Sequence, residues 1–253
     1  MMALLNRWSQ KIRPWSAALA TLVFPPCCPG CRAPLSGSVA KGAFCEICTQ
    51  EIEEITPPFC SICAEPFRGL LQGDFRCPNC EDKPQPYRFA MAGGMSSGPL
   101  REAIHQFKYG KRPALRYGLA RLMHSAMQRD QRLTGVDWLL VPVPLHHRRF
   151  RERGFNQSEE LAQTLSRLSG LDYCSALRRI RYTTAQATLE LKDRQKNLKN
   201  AFKPARFGSG AVSGRSVLLI DDVFTTGSTS AECARVLLSS GAKEVAVLAV
   251  ARG

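Results

Sequence analysis

The sequence predicts an α/β protein in which a parallel sheet with flanking helices follows a small metal-stabilised module. Three observations carry that prediction. Four C-x-x-C pairs crowd the first third of the chain; an apolar strand, a hydroxyl-rich turn, a helical stretch and a second apolar strand follow one another from Ser216 to Val250; and another apolar run spans Asp137 to Pro144. Uninterrupted apolar strands belong to sheets covered on both faces, which are parallel. A chain of 253 residues has room for one ordinary core and a small module. At 44% hydrophobic and 22% charged residues it is too apolar for a disordered chain. Its longest apolar stretch, Ala17 to Phe24, falls far short of the ~18 residues that span a bilayer.

Residues 1–26 carry Arg7, Lys11 and Arg13 ahead of an apolar stretch from Trp15 to Phe24, a pattern superficially like a secretory signal. Pro25-Pro26 and the first cysteines stand where a small-residue cleavage site would be needed. The segment therefore predicts an amphipathic helix docked on the body or on a partner, with a membrane-surface role as the alternative.

Nine of the eleven cysteines lie between Cys27 and Cys80, and eight of them form the pairs Cys28/Cys31, Cys45/Cys48, Cys60/Cys63 and Cys77/Cys80. The second two pairs repeat the first two at an offset of 32, and Pro34-Leu35 is matched by Pro66-Phe67. Phe59 matches Cys27, so Cys28 is the better ligand of the adjacent two. A C-x-x-C turn aims two thiolates at one point, and two such turns close a tetrahedral S4 shell around Zn2+. Neither half is large enough to bury its own core, so metal would supply the folding free energy. Two consecutive zinc ribbons over residues 27–84 are predicted. Redox dithiols, or one filled and one degenerate site, are the competing readings. Cys174 and Cys233, outside the cluster, read as small buried apolar residues.

The remaining residues, 85–253, hold the sheet and most of the charge. Of a net +14, residues 101–200 contribute +11, from 20 basic against 9 acidic side chains. A field of that sign favours polyanions, with an ordinary solvated basic surface as the plainer reading. After the Asp137–Pro144 strand come Arg148, Arg149, Arg151 and Arg153, and then a helical pattern from about Gln157 to Leu168. Guanidinium groups at that place can clamp a pyrophosphate through paired hydrogen bonds. Among the histidines His105, His124, His146 and His147 no ligand spacing appears, and only His146, near this turn, reads as more than a bystander. A second basic stretch, Arg178 to Lys203, begins as a polar loop and gains helical spacing after Glu190.

In the last unit, Val217–Ile220 forms a strand, a helix runs from Thr229 to Ser240, Gly241 stops it and Val245–Val250 forms the next strand. Ligands of such sheets sit beyond the carboxyl ends of the strands. Asp221 and Asp222 lie there, followed by Thr225, Thr226, Gly227, Ser228 and Thr229. Hydroxyls, a glycine and a helix N-terminus make an anion cradle. A phosphate would repel the two carboxylates, which are better suited to sugar hydroxyls, bound directly or through Mg2+.

Val217 to Thr229 resembles the phosphoribosyl pyrophosphate (PRPP) signature of type I phosphoribosyltransferases. That resemblance implies a type I phosphoribosyltransferase-like sheet domain, with Asp221 and Asp222 on the ribose hydroxyls and Thr225 to Thr229 on the 5′-phosphate. Phe107-Lys108-Tyr109-Gly110 is similar to the lysine-bearing element that approaches the pyrophosphate in some of these enzymes; Arg148, Arg149 and Arg153 would complete it. With the cysteine ribbons, PVPLHHRRFRERGFNQ, the T-x-x-Q of Thr183 to Gln186 and the R-x-x-N-L-x-x-A-F of Arg194 to Phe202, the chain resembles the ComF family over residues 24–252. Gly154-Phe155-Asn156-Gln157 would fix the basic loop against the cleft. The resemblance implies a cytoplasmic protein of natural transformation or of the use of external DNA as a nutrient, acting at the inner membrane with DNA-uptake machinery.

Three readings follow. In the first, PRPP and single-stranded DNA are ligands, with Phe150, Phe155, Tyr182 and Phe202 available to stack on bases. In the second the chain is a Mg2+-dependent transferase of nucleotide salvage or a PRPP-sensing regulator; in the third it is a ribbon scaffold with a vestigial cleft.

Overall fold

The computed structural model describes residues 26–37, 40–67, 69, 73–182, 198–206 and 208–253. The helix expected over residues 1–26, apart from Pro26, and the Thr183–Gln186 motif lie outside them, as does most of the second basic stretch.

Four parallel strands form the main sheet: β1 (Ala90–Met95), β2 (Leu139–Pro142), β5 (Ser216–Phe224) and β6 (Glu244–Arg252), in the order β1-β6-β5-β2. β5 and β6 are central and run in register from Ser216 opposite Glu244 to Phe224 opposite Arg252. β6 is buried from Val245 to Arg252, which is why its sequence shows no alternation. β3 (Leu177–Arg179) and β4 (Phe202–Pro204) form a separate antiparallel pair, so the described ends of the second basic stretch meet each other.

Helices α1 (Glu46–Gln50) and α2 (Pro78–Glu81) belong to the ribbons. Between β1 and β2 come α3 (Gly98–Tyr109) and α4 (Arg116–Arg129); α5 (His147–Arg153) and α6 (Gln157–Ser169) follow β2. A short α7 (Ser209–Val212) precedes β5, and α8 (Ser228–Ser239) connects β5 to β6. α4 and α6 pack on each other and on the sheet, and α8 packs on β5 and β6 beside β4. Cys233 of α8 is fully buried there, as its isolation in the sequence predicts, while Cys174 is half-buried against the core.

The internal repeat holds in the backbone. The bridge between Cys27 and Pro34 recurs between Phe59 and Pro66. Hydrogen bonds from Cys28 N to Ala33 O and from Cys60 N to Glu65 O are both 2.8 Å long, and Arg32 and Ala64 share a positive φ. The offset of 32 is therefore a duplication of conformation as well as of sulfur positions.

The ribbons continue into the core of the sheet domain. Ile52, Ile55, Cys60, Cys63, Cys77 and Cys80 are buried in one cluster with the strands. Backbone bonds join the parts, Ala90 N to Ile62 O at 2.7 Å and Met95 N to Glu53 O at 2.8 Å. Gly118 of α4 lies so close to Gly42 that a Cβ added there would sit 1.8 Å from the Gly42 carbonyl oxygen. Sequence spacing conveys the module's metal chemistry but not this continuity.

Candidate functional site

The acidic pair lies inside β5, which runs on to Phe224 rather than stopping at Ile220. Successive strand residues face opposite ways, so the two carboxylates meet different partners. Asp221 Oδ1 accepts hydrogen bonds from Ser158 Oγ of α6 (3.1 Å) and from Asp222 N (2.8 Å). Burial, then the neighbouring Asp222 charge, pushes the Asp221 carboxyl up to about 7; its hydrogen bonds and Lys108 oppose that rise. Asp222 Oδ1 lies 2.8 Å from Lys108 Nζ of α3.

Beyond β5, Thr225 and Thr226 are exposed, Gly227 is buried at φ +72°, and α8 begins at Ser228. The Thr226 and Ser228 hydroxyls are 3.0 Å apart. The first backbone N–H groups of a helix lack partners within it. Here Ser228 N donates to the Thr226 hydroxyl at 3.5 Å, so the helix N-terminus stands beside the hydroxyls of the turn.

The arginine run forms a helix, α5, where a basic loop was expected. The His146 ring nitrogen Nδ1 caps it by accepting from Arg148 N at 3.3 Å, and Gly154 closes it at φ +83°. Burial, then the electrostatic effect of neighbouring His147 and Arg179, lowers the His146 pKa, which favours the neutral ring that can accept that bond. An open cleft of about 310 Å³ lies between α5 and the end of α3, lined by Lys108, Tyr109, Lys111, Arg149, Glu152, Arg153 and Tyr182. Lys108, Arg149 and Arg153 are thus brought together; Arg148 instead stacks on Tyr182, 5.3 Å from its ring centre. Arg153 is aimed by Gln157 Oε1 at 2.8 Å, and Asn156 Nδ2 donates to Val143 O at 3.2 Å, so the GFNQ segment ties α5 to the end of β2. Of the candidate stacking residues, Phe150 and Tyr182 are exposed, Phe155 packs on Phe107 and Phe202 is buried. Sequence reasoning missed Ser158, Lys111 and Glu152. Ser158 directly follows GFNQ, Lys111 directly follows the Phe107–Gly110 element and Glu152 lies within the arginine run, so closeness to a motif was the available signal.

The eight cysteines form two groups, Cys28/Cys31/Cys45/Cys48 and Cys60/Cys63/Cys77/Cys80, with the four sulfurs of each group within 4.8 Å of one another. The edge of a tetrahedral Zn–S4 shell is about 3.8 Å. Cys31 to Cys45 measures 3.7 Å and Cys63 to Cys77 measures 3.6 Å, so both groups fit the ion. Backbone N–H groups donate to sulfur at matching places, Cys45 N to Cys28 and Cys77 N to Cys60, both at 3.3 Å. Burial raises the Cys28 and Cys60 thiols, but backbone donors outweigh it and bring each down to about 7. That favours thiolate, the ligand form. Burial pushes Cys63 up to about 12, so a bound Zn2+ would supply the positive charge that favours its thiolate.

Residues 19–81 match the double zinc ribbon domain family. The DNA utilization protein YhgH of Escherichia coli K12 is 35% identical over 234 residues, covering 91% of this chain and 99% of that protein. Competence protein F of Haemophilus influenzae is 34% identical over 229 residues, covering 89% and 96%, and Competence protein ComFC of Streptococcus pneumoniae is 26% identical, covering 76% and 87%. Among solved structures, the allosteric regulatory enzyme of purine biosynthesis overlaps 57% of this chain and 29% of its own, at 20% identity and a TM-score of 0.39. The glutamine PRPP amidotransferase of B. subtilis overlaps 57% and 30%, at 18% identity and 0.38. This chain therefore spans under a third of either solved chain. A third of all residues shared across nearly the full length of YhgH and Competence protein F, the duplicated ribbon included, places the chain in the ComF family.

Proposed function

We propose that this protein serves DNA utilisation or competence through a cleft that binds PRPP and a basic surface that binds single-stranded DNA. One observation carries the reading: Lys108 lines the basic cleft and also reaches Asp222, so the acidic and cationic halves expected of a PRPP site adjoin. Asp221 and Asp222 hold the ribose hydroxyls, Thr225, Thr226, Gly227, Ser228 and Thr229 the 5′-phosphate, and Lys108, Arg149 and Arg153, with Arg148 beside them, the pyrophosphate. The carboxylates are oxygen donors of the kind Mg2+ prefers; the ion would neutralise charge between them and the ligand's phosphates. No helix among the described residues is long and apolar enough to cross a membrane, and action on the cytoplasmic side of the inner membrane is part of the proposal.

Calorimetric titration with Mg2+ and PRPP tests the site. Wild type should bind and Asp221→Asn/Asp222→Asn should lose at least about a hundredfold, the scale of charge-assisted contacts to both sugar hydroxyls. Equal heats from the two proteins would remove the basis for the assignment. Turnover is a separate outcome: release of pyrophosphate with any nucleobase would favour the transferase, and binding without release a sensor.

Single-stranded oligonucleotide binding should rest on phosphate contacts from the basic middle, with exposed Phe150 and Tyr182 available for stacking. With about 5 phosphates neutralised at roughly 0.7 of a log unit each, affinity should fall by about a hundredfold between 50 and 200 mM salt. Binding that is absent at low salt, or indifferent to salt, would sink this half of the reading.

A further inference from the structure

We propose that Lys108 is a latch whose ammonium moves from Asp222 to an anion in the basic cleft, so that pyrophosphate binding uncovers the carboxylate that takes the ribose. The inference rests on the phosphoribosyl reading of the site and says how its two halves are coupled. Lys108 Nζ is 2.8 Å from Asp222 Oδ1, with only 19% of the lysine and 14% of the aspartate side chain exposed. That is a partly desolvated pair, less screened by water and salt than a surface pair. Asp221 is occupied by Ser158 Oγ and the Asp222 backbone, so Asp222 is the carboxylate whose accepting oxygen Lys108 covers.

The same lysine faces Lys111, Arg149 and Arg153 across the cleft, with Glu152 the one carboxylate lining it among the described residues. Four cations against one anion repel one another, and pairing with Asp222 relieves part of that repulsion. A pyrophosphate in the cleft carries more charge than a single carboxylate and lies among three further cations. The lysine's flexible four-carbon stem allows it to change partner without movement of α3. Once it leaves, Asp222 can accept from sugar hydroxyls. The consequence is specificity: a ligand bearing both a pyrophosphate and a ribose opens its own sugar site, whereas ribose 5-phosphate must break the latch unaided.

A double-mutant cycle read by metal-free titration with inorganic pyrophosphate tests the latch. Wild type should bind pyrophosphate, and Asp222→Asn should bind it about tenfold more tightly, the size of a modest coupling, because the lysine is already released. In the Lys108→Met background the same Asn substitution should change affinity less than about twofold, the residual long-range charge effect. Thermal melts accompany each variant, and Lys108→Gln replaces Lys108→Met if the latter does not fold. Equal gains in both backgrounds, no gain in either, or no pyrophosphate binding by wild type would each overturn the latch. Coupling to pyrophosphate without binding of Mg2+ and PRPP would keep the latch and retire the phosphoribosyl reading; binding of PRPP without the coupling would do the reverse.

Discussion

Replacing Cys60 with serine is expected to abolish the folded state at physiological temperature, whereas Cys31→Ser should leave a folded protein with one zinc site impaired. Cys60 is fully buried, and its sulfur accepts the Cys77 N–H at 3.3 Å. Its site shares a core with the sheet: Cys63 O accepts from Arg252 Nε of β6 at 3.1 Å, and Arg252 also pairs with Glu65. Structural zinc contributes roughly 10–16 kcal/mol in small metal-dependent units, as much as the ~5–15 kcal/mol that separates a whole domain from its unfolded chain. Loss of the second site therefore removes a wall of the main core. Cys31 is exposed, so damage at the first site stays nearer the surface. Zinc content and thermal melts of the two variants check this. A Cys60→Ser protein that melts like wild type with one zinc fewer would show the second ribbon to be dispensable for the sheet.

Gly227→Ala should destabilise the protein by about 2–5 kcal/mol and abolish PRPP binding, combining left-handed strain of ~1–2 kcal/mol with overpacking of ~1–3 kcal/mol. Gly227 has φ +72°, and a Cβ there would lie 2.5 Å from the Tyr87 hydroxyl and 2.9 Å from Phe224 Cζ. Neither ring can yield easily: Tyr87 is buried, stands edge-on to Phe224 at 6.0 Å, and Phe224 lies under the Arg252 guanidinium at 5.6 Å. Gly135 supplies the control, since it has the same φ of +72° with nothing within 4 Å of an added Cβ. Gly135→Ala should incur the backbone strain alone. Melting temperatures of the two variants then isolate the contact, at about 2–4 °C per kcal/mol for a chain of this size. Matching shifts, or Gly227→Ala binding PRPP normally, would show that the hydroxyl loop tolerates displacement and does not hold the phosphate.

Legibility in the sequence followed the range of the interaction. The ribbons were readable because a metal site needs particular atoms at fixed spacing, and Cys28 to Cys80 repeat that spacing at an offset of 32. The β5–α8–β6 unit was readable because it is local, although β5 runs four residues past Ile220 and takes both aspartates into the strand. The arginine run was harder. Between Arg148 and Arg153 Phe150 is the one apolar side chain, so no apolar face marks a helix; capping by His146 and Gly154 forms one nonetheless.

Sequence by itself determined the parts and their chemistry: two S4 groups, an acidic pair, a hydroxyl turn and a basic tract, each set by residue type and short-range spacing. Only the tertiary structure decided how they meet. Ser158 on Asp221, Lys108 on Asp222, and Lys108 with Arg149 and Arg153 around one cleft join residues 40 to more than 110 positions apart. The reason is physical: such contacts depend on where buried strands β2 and β5 deliver the loops that follow them, and no local pattern encodes that placement.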